Sequence, residues 1–597
     1  MTAKTKTKTE IFNDEICGEI PRPEYPRPSL RRKDSSWMNL NGRWEFEIDA
    51  SDSGWERFVW KKEKLDGEII VPFAPESRLS GVENQDFMKR VWYRRKFSLN
   101  EKQLSDRVLL HFGAVDYISY VWVNGTIVGN HTGGYTPFSF DITENCREGI
   151  NSVVVTAFDD TRSKDQPSGK QSSDYDNFGC FYTRTTGIWQ TVWLEFVPRT
   201  YITNVWLAPN VERENVNVRV RILGDNVEEG KETRFFAAVK KDGKTVSEEK
   251  FLFRGDETVF SLPVKNPELW DVGNPELYDI EIRAEDDKVL CYFGMREIKI
   301  SGKKFLLNGR PVFQKLVLDQ GYYPSGVYTA ESDEEISRDI ELSMAAGFNG
   351  ARMHMKIFEP RYIYHADKKG YLLWGEYPNW GLECDRKGAA EYMLPEWIEE
   401  IERDFNSPAI IGWCPFNEAG GDNSKDLFRL VYETTKLIDP TRPVIDTSGW
   451  FHSKTDIFDV HDYEQDPDKF ASHYVGLSQL KDFYVDFPEQ NLKYDGKIPY
   501  FVSECGGTFY DVENPSEGWG YGDKPENEEM FFHRFETIVT TLIDNPDVCG
   551  FCYTQLYDVM QEKNGLYTYD RRPKFDVERI RKIVGKTPAV ENGFEKD

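Results

Sequence analysis

Residues 397–420 read WIEEIERDFNSPAIIGWCPFNEAG: a helical segment, a turn, and a short apolar run that stops on Asn417 and Glu418. The same unit recurs on either side. Upstream, Ser332-x-x-Glu335 is a capping box, Ile336, Ile340 and Met344 fall on one helical face at i, i+4, i+8, and Gly347 ends that helix before the strand FNGARMH. A helix before Gly370 leads into YLLWGEYP, and SKDLFRLVYETTKLID leads into PVIDTS, then IFDVHDY and IPYFVSE. A long helix near EEMFFHRFETIVTTLID leads into VCGFCYTQ. With VFQKLVLDQ at the start, the count is about eight strands, mostly followed by helices, as a (β/α)8 TIM barrel over 303–597 requires. A doubly wound open sheet is the structural alternative.

Outward from the barrel the rhythm changes to period two. From about residue 37 to 300, short alternating segments such as WYRRKFSL, YVWVNGTIVG and NVWLAP are broken by Gly, Pro, Asn and Asp, and Asn124-Gly125 marks a hairpin. A joint near Pro198-Arg199-Thr200 divides this region into two antiparallel β-sandwiches, 24–199 and 200–302. Residues 1–23, opening MTAKTKTKTE, read as a flexible tail with no apolar signal region.

At 597 residues the chain is too long for one core, in line with this division. A net charge of −27 argues against nucleic acid and anionic membranes as partners, both being polyanions that reward basic patches. Nine cysteines without a tight framework suit a reducing compartment, and no run approaches the ~20 apolar residues of a membrane span, so the reading is cytoplasmic. Aromatics at 14% suit β-sandwich cores and sugar-stacking walls alike, because apolar pyranose faces lie flat on rings.

In a TIM barrel, chemistry sits at the C-terminal strand ends. The fourth strand ends in Asn417-Glu418, and the seventh, IPYFVS, in Glu504, across the barrel mouth. Paired carboxylates are what glycoside hydrolysis needs: one protonates the departing oxygen, the other attacks the anomeric carbon or activates water. Other strand ends offer Asp319-Gln320, Arg352, His354, Glu376, His461, Asp462 and Tyr463. Arg352 beside the nucleophile would keep it ionised. Trp374, Trp380, Trp413, Trp450 and Trp519 are candidate pocket walls. Cys549-x-x-Cys552 has redox spacing but lies on a strand, where i and i+3 face opposite ways, and the Gly518–Gly522 run lacks the strand-to-helix context of a dinucleotide loop. No zinc pattern or GxSxG elbow appears, so no metal and no cofactor is expected.

The chain resembles glycoside hydrolase family two, the β-galactosidase, β-glucuronidase and β-mannosidase group, from about Trp37 to Phe575. LNGRWEF, VWYRRKFSL, GGYTPFSFDIT and TTGIWQTVWLE resemble its N-terminal jelly roll, and ELWDVGNPELY the close of its immunoglobulin-like domain. NSPAIIGWCPFNEAG resembles the acid/base segment and PYFVSECGG the nucleophile segment. The resemblance thereby implies Glu418 as general acid/base, Asn417 at the sugar 2-hydroxyl, Glu504 as nucleophile, and Arg352 beside it. It implies a retaining exo-β-glycosidase, β-galactosidase-like, with β-glucuronidase, β-mannosidase or arabinopyranosidase specificity, or a non-catalytic carbohydrate-binding protein, as alternatives. The expected sugar contacts are Asp319, Arg352, His354, Asn417, His461, Tyr463, Trp519 and Tyr553. Family members are often dimers or tetramers, so the resemblance also implies a homo-oligomer. Departures are the Leu318-Asp319-Gln320 end of strand one, His354 one place early, Tyr553-Thr554-Gln555 in place of the usual strand-eight Trp, and no Asn-x-Lys after strand eight. Asn491-x-Lys493 has that spacing but precedes strand seven, on the wrong face.

Overall fold

The computed structural model describes residues 20–33, 36–421, 424–512 and 518–592. The MTAKTKTKTE segment lies outside them. Residues 20–23, read as the end of a tail, are seated: Arg22 is 2% exposed and donates to both carboxylate oxygens of Glu359 at 3.0 Å.

The alternating segments form two sandwiches. In the first, a four-stranded sheet (Trp37–Asn39, Val192–Val197, Arg107–Phe112, Phe138–Asp141) faces a six-stranded one (Gly67–Val71, Gly42–Ile48, Arg90–Leu99, Gly149–Phe158, Ile118–Val123, Thr126–Thr132), the jelly-roll layers expected. Asn124 and Gly125 turn the last hairpin with φ of 50° and 83°, the left-handed pair a tight hairpin needs. The second sandwich begins at Thr200–Asn210, so NVWLAP belongs to it, and Asn215–Gly224 alternates buried with more accessible positions. A small meander, Ile298–Ser301, Lys304–Leu307 and Arg310–Pro311, leads on to the barrel.

Beyond it, seven parallel strands curl into one sheet: Gln314–Asp319, Gly350–Met353, Leu372–Glu376, Ile410–Cys414, Phe458–Asp462, Tyr500–Gly506 and Val548–Thr554. Ile410–Cys414 is buried throughout, because helices cover the outside and side chains fill the inside. Fully burying each such aliphatic side chain stabilises the fold by roughly 1.5–3 kcal/mol. The fifth strand position is taken by residues 443–448, which bridge the fourth strand at Trp413–Val444 and Asn417–Ser448. Their other side is closed by isolated bonds: the Asp456 N–H donates to the Val444 carbonyl at 2.9 Å, and Ser448 Oγ donates to Asp459 Oδ2 at 3.0 Å.

Two local readings are adjusted. Ser332 Oγ accepts from the Glu335 N–H at 3.3 Å, but the Glu335 carboxylate accepts from the Glu331 N–H at 2.8 Å, so the box is displaced by one residue. Met344 is 36% exposed, so only Ile336 and Ile340 of that face are buried.

One connection places part of the first sandwich at the barrel mouth. Between strands Gly149–Phe158 and Val192–Val197, the chain crosses to the strand ends, where the Ser168 N–H donates to the Trp380 carbonyl at 2.7 Å and the Gly169 N–H to the Pro378 carbonyl at 3.1 Å. A Cβ on Gly169 would lie 2.3 Å from the Met355 carbonyl oxygen, and its φ is +57°, so only glycine fits this approach.

Candidate active site

Glu504 stands at the end of its strand, 4% exposed, with both oxygens held. Arg352 Nη1 donates to Oε1 at 3.0 Å and the Tyr463 hydroxyl donates to Oε2 at 2.5 Å. Register shifts beside Val460/His461 and between Val502 and Cys505 bend these strand ends. Burial alone would push the carboxyl up. The charges of His461 and Arg352 and the Tyr463 hydrogen bond outweigh it and hold Glu504 down at about 2, so it is ionised at neutral pH. Arg352 is oriented in turn by Glu376 and by Asn417 Oδ1 at 3.1 Å. His354 Nδ1 lies 3.1 Å from Glu376 Oε2 and 3.8 Å from Glu504 Oε1, and its burial, then the charge of Lys170, keep that ring neutral.

Glu418 faces Glu504 from the fourth strand. Its φ is +44°, in the left-handed region that a β-carbon disfavours by roughly 1–3 kcal/mol. The Glu418 N–H, donating to the Ser448 carbonyl at 2.9 Å, fixes that turn. His461 Nδ1 lies 2.8 Å from Glu418 Oε1 and 3.4 Å from Glu504 Oε2, and its Nε2 lies 2.9 Å from Ser448 Oγ. Burial pulls the His461 pKa down, but Glu504 and Glu418 raise it to about 9, so the ring is a cation between the two acids. One atom each of Glu418, His461 and Glu504 lies within 4.8 Å of the others. That trio has the composition of a metal site, where an ion would compete with the imidazole proton.

Of the residues expected at the site, Glu418, Glu504, Arg352, His354, Asn417, His461 and Tyr463 come together. Asp319 does not join them. It accepts from the hydroxyls of Tyr557 at 2.6 Å and Tyr362 at 3.0 Å, in the layer between strand one and the helix Pro360–Lys369. Tyr553 also turns outward, its ring 4.9 Å from Phe535 of the helix Glu528–Ile543. Its neighbour Thr554 faces in, with Oγ1 3.0 Å from the Tyr463 hydroxyl. Trp519 packs 5.6 Å from Tyr521, whose ring stacks on Tyr463 at 3.5 Å, so Trp519 stands behind the wall of the gap. Trp374 and Trp413 are core, 1% and 0% exposed, whereas half-buried Trp380 donates to the Asn417 carbonyl at 2.9 Å. Trp450 lies to one side, 5.7 Å from Phe487.

Residues 37–198 match the family described as "Glycosyl hydrolases family 2, sugar binding domain", and residues 200–296 match "Glycosyl hydrolases family 2". Residues 37–296 thus carry two domains of glycosyl hydrolase family 2. It is 28% identical over 377 residues to a beta-galactosidase of Thermoanaerobacter pseudethanolicus, a match covering 60% of this chain and only 48% of that one. It is 25% identical over 627 residues to a beta-glucuronidase of Paenibacillus borealis, covering 94% and 98%. Its fold superposes on the beta-glucuronidase of an uncultured Clostridium sp. with a TM-score of 0.78 at 22% identity, over 93% of this chain and 98% of that one.

Several residues at the mouth carry no strand-end signal. Tyr182, from the crossing loop, donates to Glu562 and accepts from Gln320 Nε2 at 2.9 Å. Lys170, 7% exposed, places Nζ 4.7 Å from the centre of the Trp380 ring, and Phe181 packs against that same Trp at 5.3 Å with its ring tilted by 37°. These residues lie on a connection between sandwich strands, where the alternation pattern is silent about direction.

Proposed function

We propose that this chain is a retaining exo-β-glycosidase that removes a terminal β-linked sugar by double displacement. Glu504 attacks the anomeric carbon while Glu418 protonates the departing glycosidic oxygen; a glycosyl-enzyme ester forms, and water deprotonated by Glu418 releases the sugar with its configuration retained. The observation that carries this reading is the pair itself. An oxygen of Glu418 and one of Glu504 lie within 4.8 Å, so both carboxyls face one gap, and a close pair of this kind is what double displacement uses.

The electrostatics support the division of labour. Glu504 is held ionised and oriented by one hydrogen bond on each oxygen, which leaves lone pairs for attack, whereas the Glu418 side chain is 21% exposed and reaches water for the second step. His461, touching both acids, stabilises the negative charge that moves between them. Walls from the crossing loop, Trp380 and Tyr521 favour removal of end sugars over cleavage within a chain. The eight described cysteines are unbridged, which supports a reducing compartment.

Proton NMR of early turnover tests the mechanism. The β-anomer of the released sugar appears first if configuration is retained; first appearance of the α-anomer would exclude Glu504 as nucleophile. The relatives divide between β-galactosidases and β-glucuronidases, so the choice of sugar rests on the side chains lining this pocket.

A further inference from the structure

Lys170 is a buried cation whose charge Glu562, Glu504 and Glu418 favour from beyond ion-pairing distance. The chain offers its Nζ the face of Trp380 at 4.7 Å, and among the described residues no carboxylate or carbonyl lies within hydrogen-bonding or ion-pairing distance of that ammonium. An ammonium has three donors and no acceptor, so all three are left for water or a bound ligand. The contact with the Trp380 face engages the charge but accepts none of those hydrogen bonds.

The placement is built. The Lys170 carbonyl accepts from the Tyr182 N–H at 2.8 Å, the two preceding residues are bonded to Pro378 and Trp380, and Gly169 lies against the Met355 carbonyl, directly after His354. Trp380 is itself tied to the backbone of Asn417, next to Glu418. The ammonium is therefore held beside Trp380, on the strand-two and strand-three side of the barrel mouth. Its charge is felt by Glu504, Glu418 and Glu562 and by the ring of His354.

We infer that Lys170 reads an anionic substituent, a carboxylate or a sulfate, on the terminal sugar, so that this pocket selects acidic over neutral β-glycosides. An incoming oxyanion supplies the acceptors that Lys170 lacks, through charge-assisted hydrogen bonds. A neutral sugar at the same position offers it no such charge. This inference rests on the glycosidase reading above and adds the sugar class to it.

The test is kinetic, with 4-nitrophenyl β-D-glucuronide, β-D-galacturonide and 6-sulfated β-D-glucoside and β-D-galactoside set against the unmodified glucoside and galactoside. Wild type should favour one acidic glycoside over its neutral counterpart by about 100-fold in kcat/KM, and Lys170→Met should cut that ratio by a similar factor. Lys170→Arg, which keeps the charge, should recover part of it. Whether the uronides or the sulfates respond tells carboxylate from sulfate. Calorimetry of glucuronate, galacturonate, the two 6-sulfates, glucose and galactose with Glu504→Gln provides a readout that needs no turnover. The inference is overturned if wild type shows no acidic preference in turnover or in binding, or if Lys170→Met lowers acidic and neutral turnover equally. Undiminished activity of Glu504→Gln would instead overturn the glycosidase assignment, whatever Lys170 does.

Discussion

His461 Nδ1 lies 2.8 Å from Glu418 Oε1, with the rest of the ring enclosed by protein. Burial opposes protonation there, but Glu504 and Glu418 raise the pKa from 6.5 to about 9. The folded-state value exceeds the unfolded one. The stabilisation is therefore fully present below about pH 6.5 and is lost as pH rises through about 9, at up to ~1.4 kcal/mol per pH unit. His461→Gln should flatten that part of the profile. Melting temperatures of wild type and variant across pH 6.5–9.5 check this; parallel curves would mean that the ring is neutral.

Tyr463 supplies the only hydroxyl on Glu504 Oε2 among the described residues, and its ring is fixed by Tyr521 at 3.5 Å. Tyr463→Phe keeps the stack and removes the bond. A hydrogen bond to a charged group is worth about 1.5–3 kcal/mol, so kcat/KM should fall roughly 10- to 150-fold with melting temperature nearly unchanged. Steady-state kinetics beside a thermal melt separates this from a folding defect, which would move both.

Asp319 and Tyr553 should behave differently from the residues of the gap. Asp319→Asn leaves Tyr362 or Tyr557 short of an acceptor in a buried layer, a cost of about 1–3 kcal/mol in stability. Its kcat/KM should stay within about 3-fold of wild type, because nothing in the Glu418–Glu504 gap touches it. Tyr553→Phe, which keeps the ring against Phe535, should leave kinetics unchanged. Loss of turnover with unchanged KM in either variant would bring that residue back into the site.

These two residues show where strand-end reasoning stops. Glu418, Glu504, Arg352, His354, Asn417, His461 and Tyr463 were legible because a TIM barrel sends its strand ends to one mouth, and each follows an apolar run. Which of two adjacent residues turns inward depends on the local register, and strands one and eight present Gln320 and Thr554 in place of Asp319 and Tyr553. The fifth strand was legible as an apolar run, although it is paired largely through isolated bridges and side-chain bonds. Lys170, Phe181 and Tyr182 could not be found this way. They lie over 200 residues from the acids in sequence, and only the packing of the first sandwich on the barrel brings them near.

The roles of the two acids can be told apart by the leaving group. In the first step, Glu418 is needed only in proportion to how poorly the departing oxygen carries negative charge. A dinitrophenolate leaves without a proton, whereas an alkoxide does not. Glu418→Gln should therefore lower kcat/KM less than about 10-fold for dinitrophenyl glycosides, but about 10²–10⁴-fold for alkyl or disaccharide substrates. Its kcat on the activated substrate should drop along with KM, because hydrolysis of the ester lacks its base and the glycosyl-enzyme accumulates. Glu504→Gln removes the attacking group itself, so every substrate should lose at least ~10³-fold, about 4 kcal/mol of transition-state stabilisation, whatever leaves. Measuring both variants against both leaving groups gives four ratios. If the leaving-group dependence appeared in the Glu504 variant and not in the Glu418 variant, the two assignments would have to be exchanged.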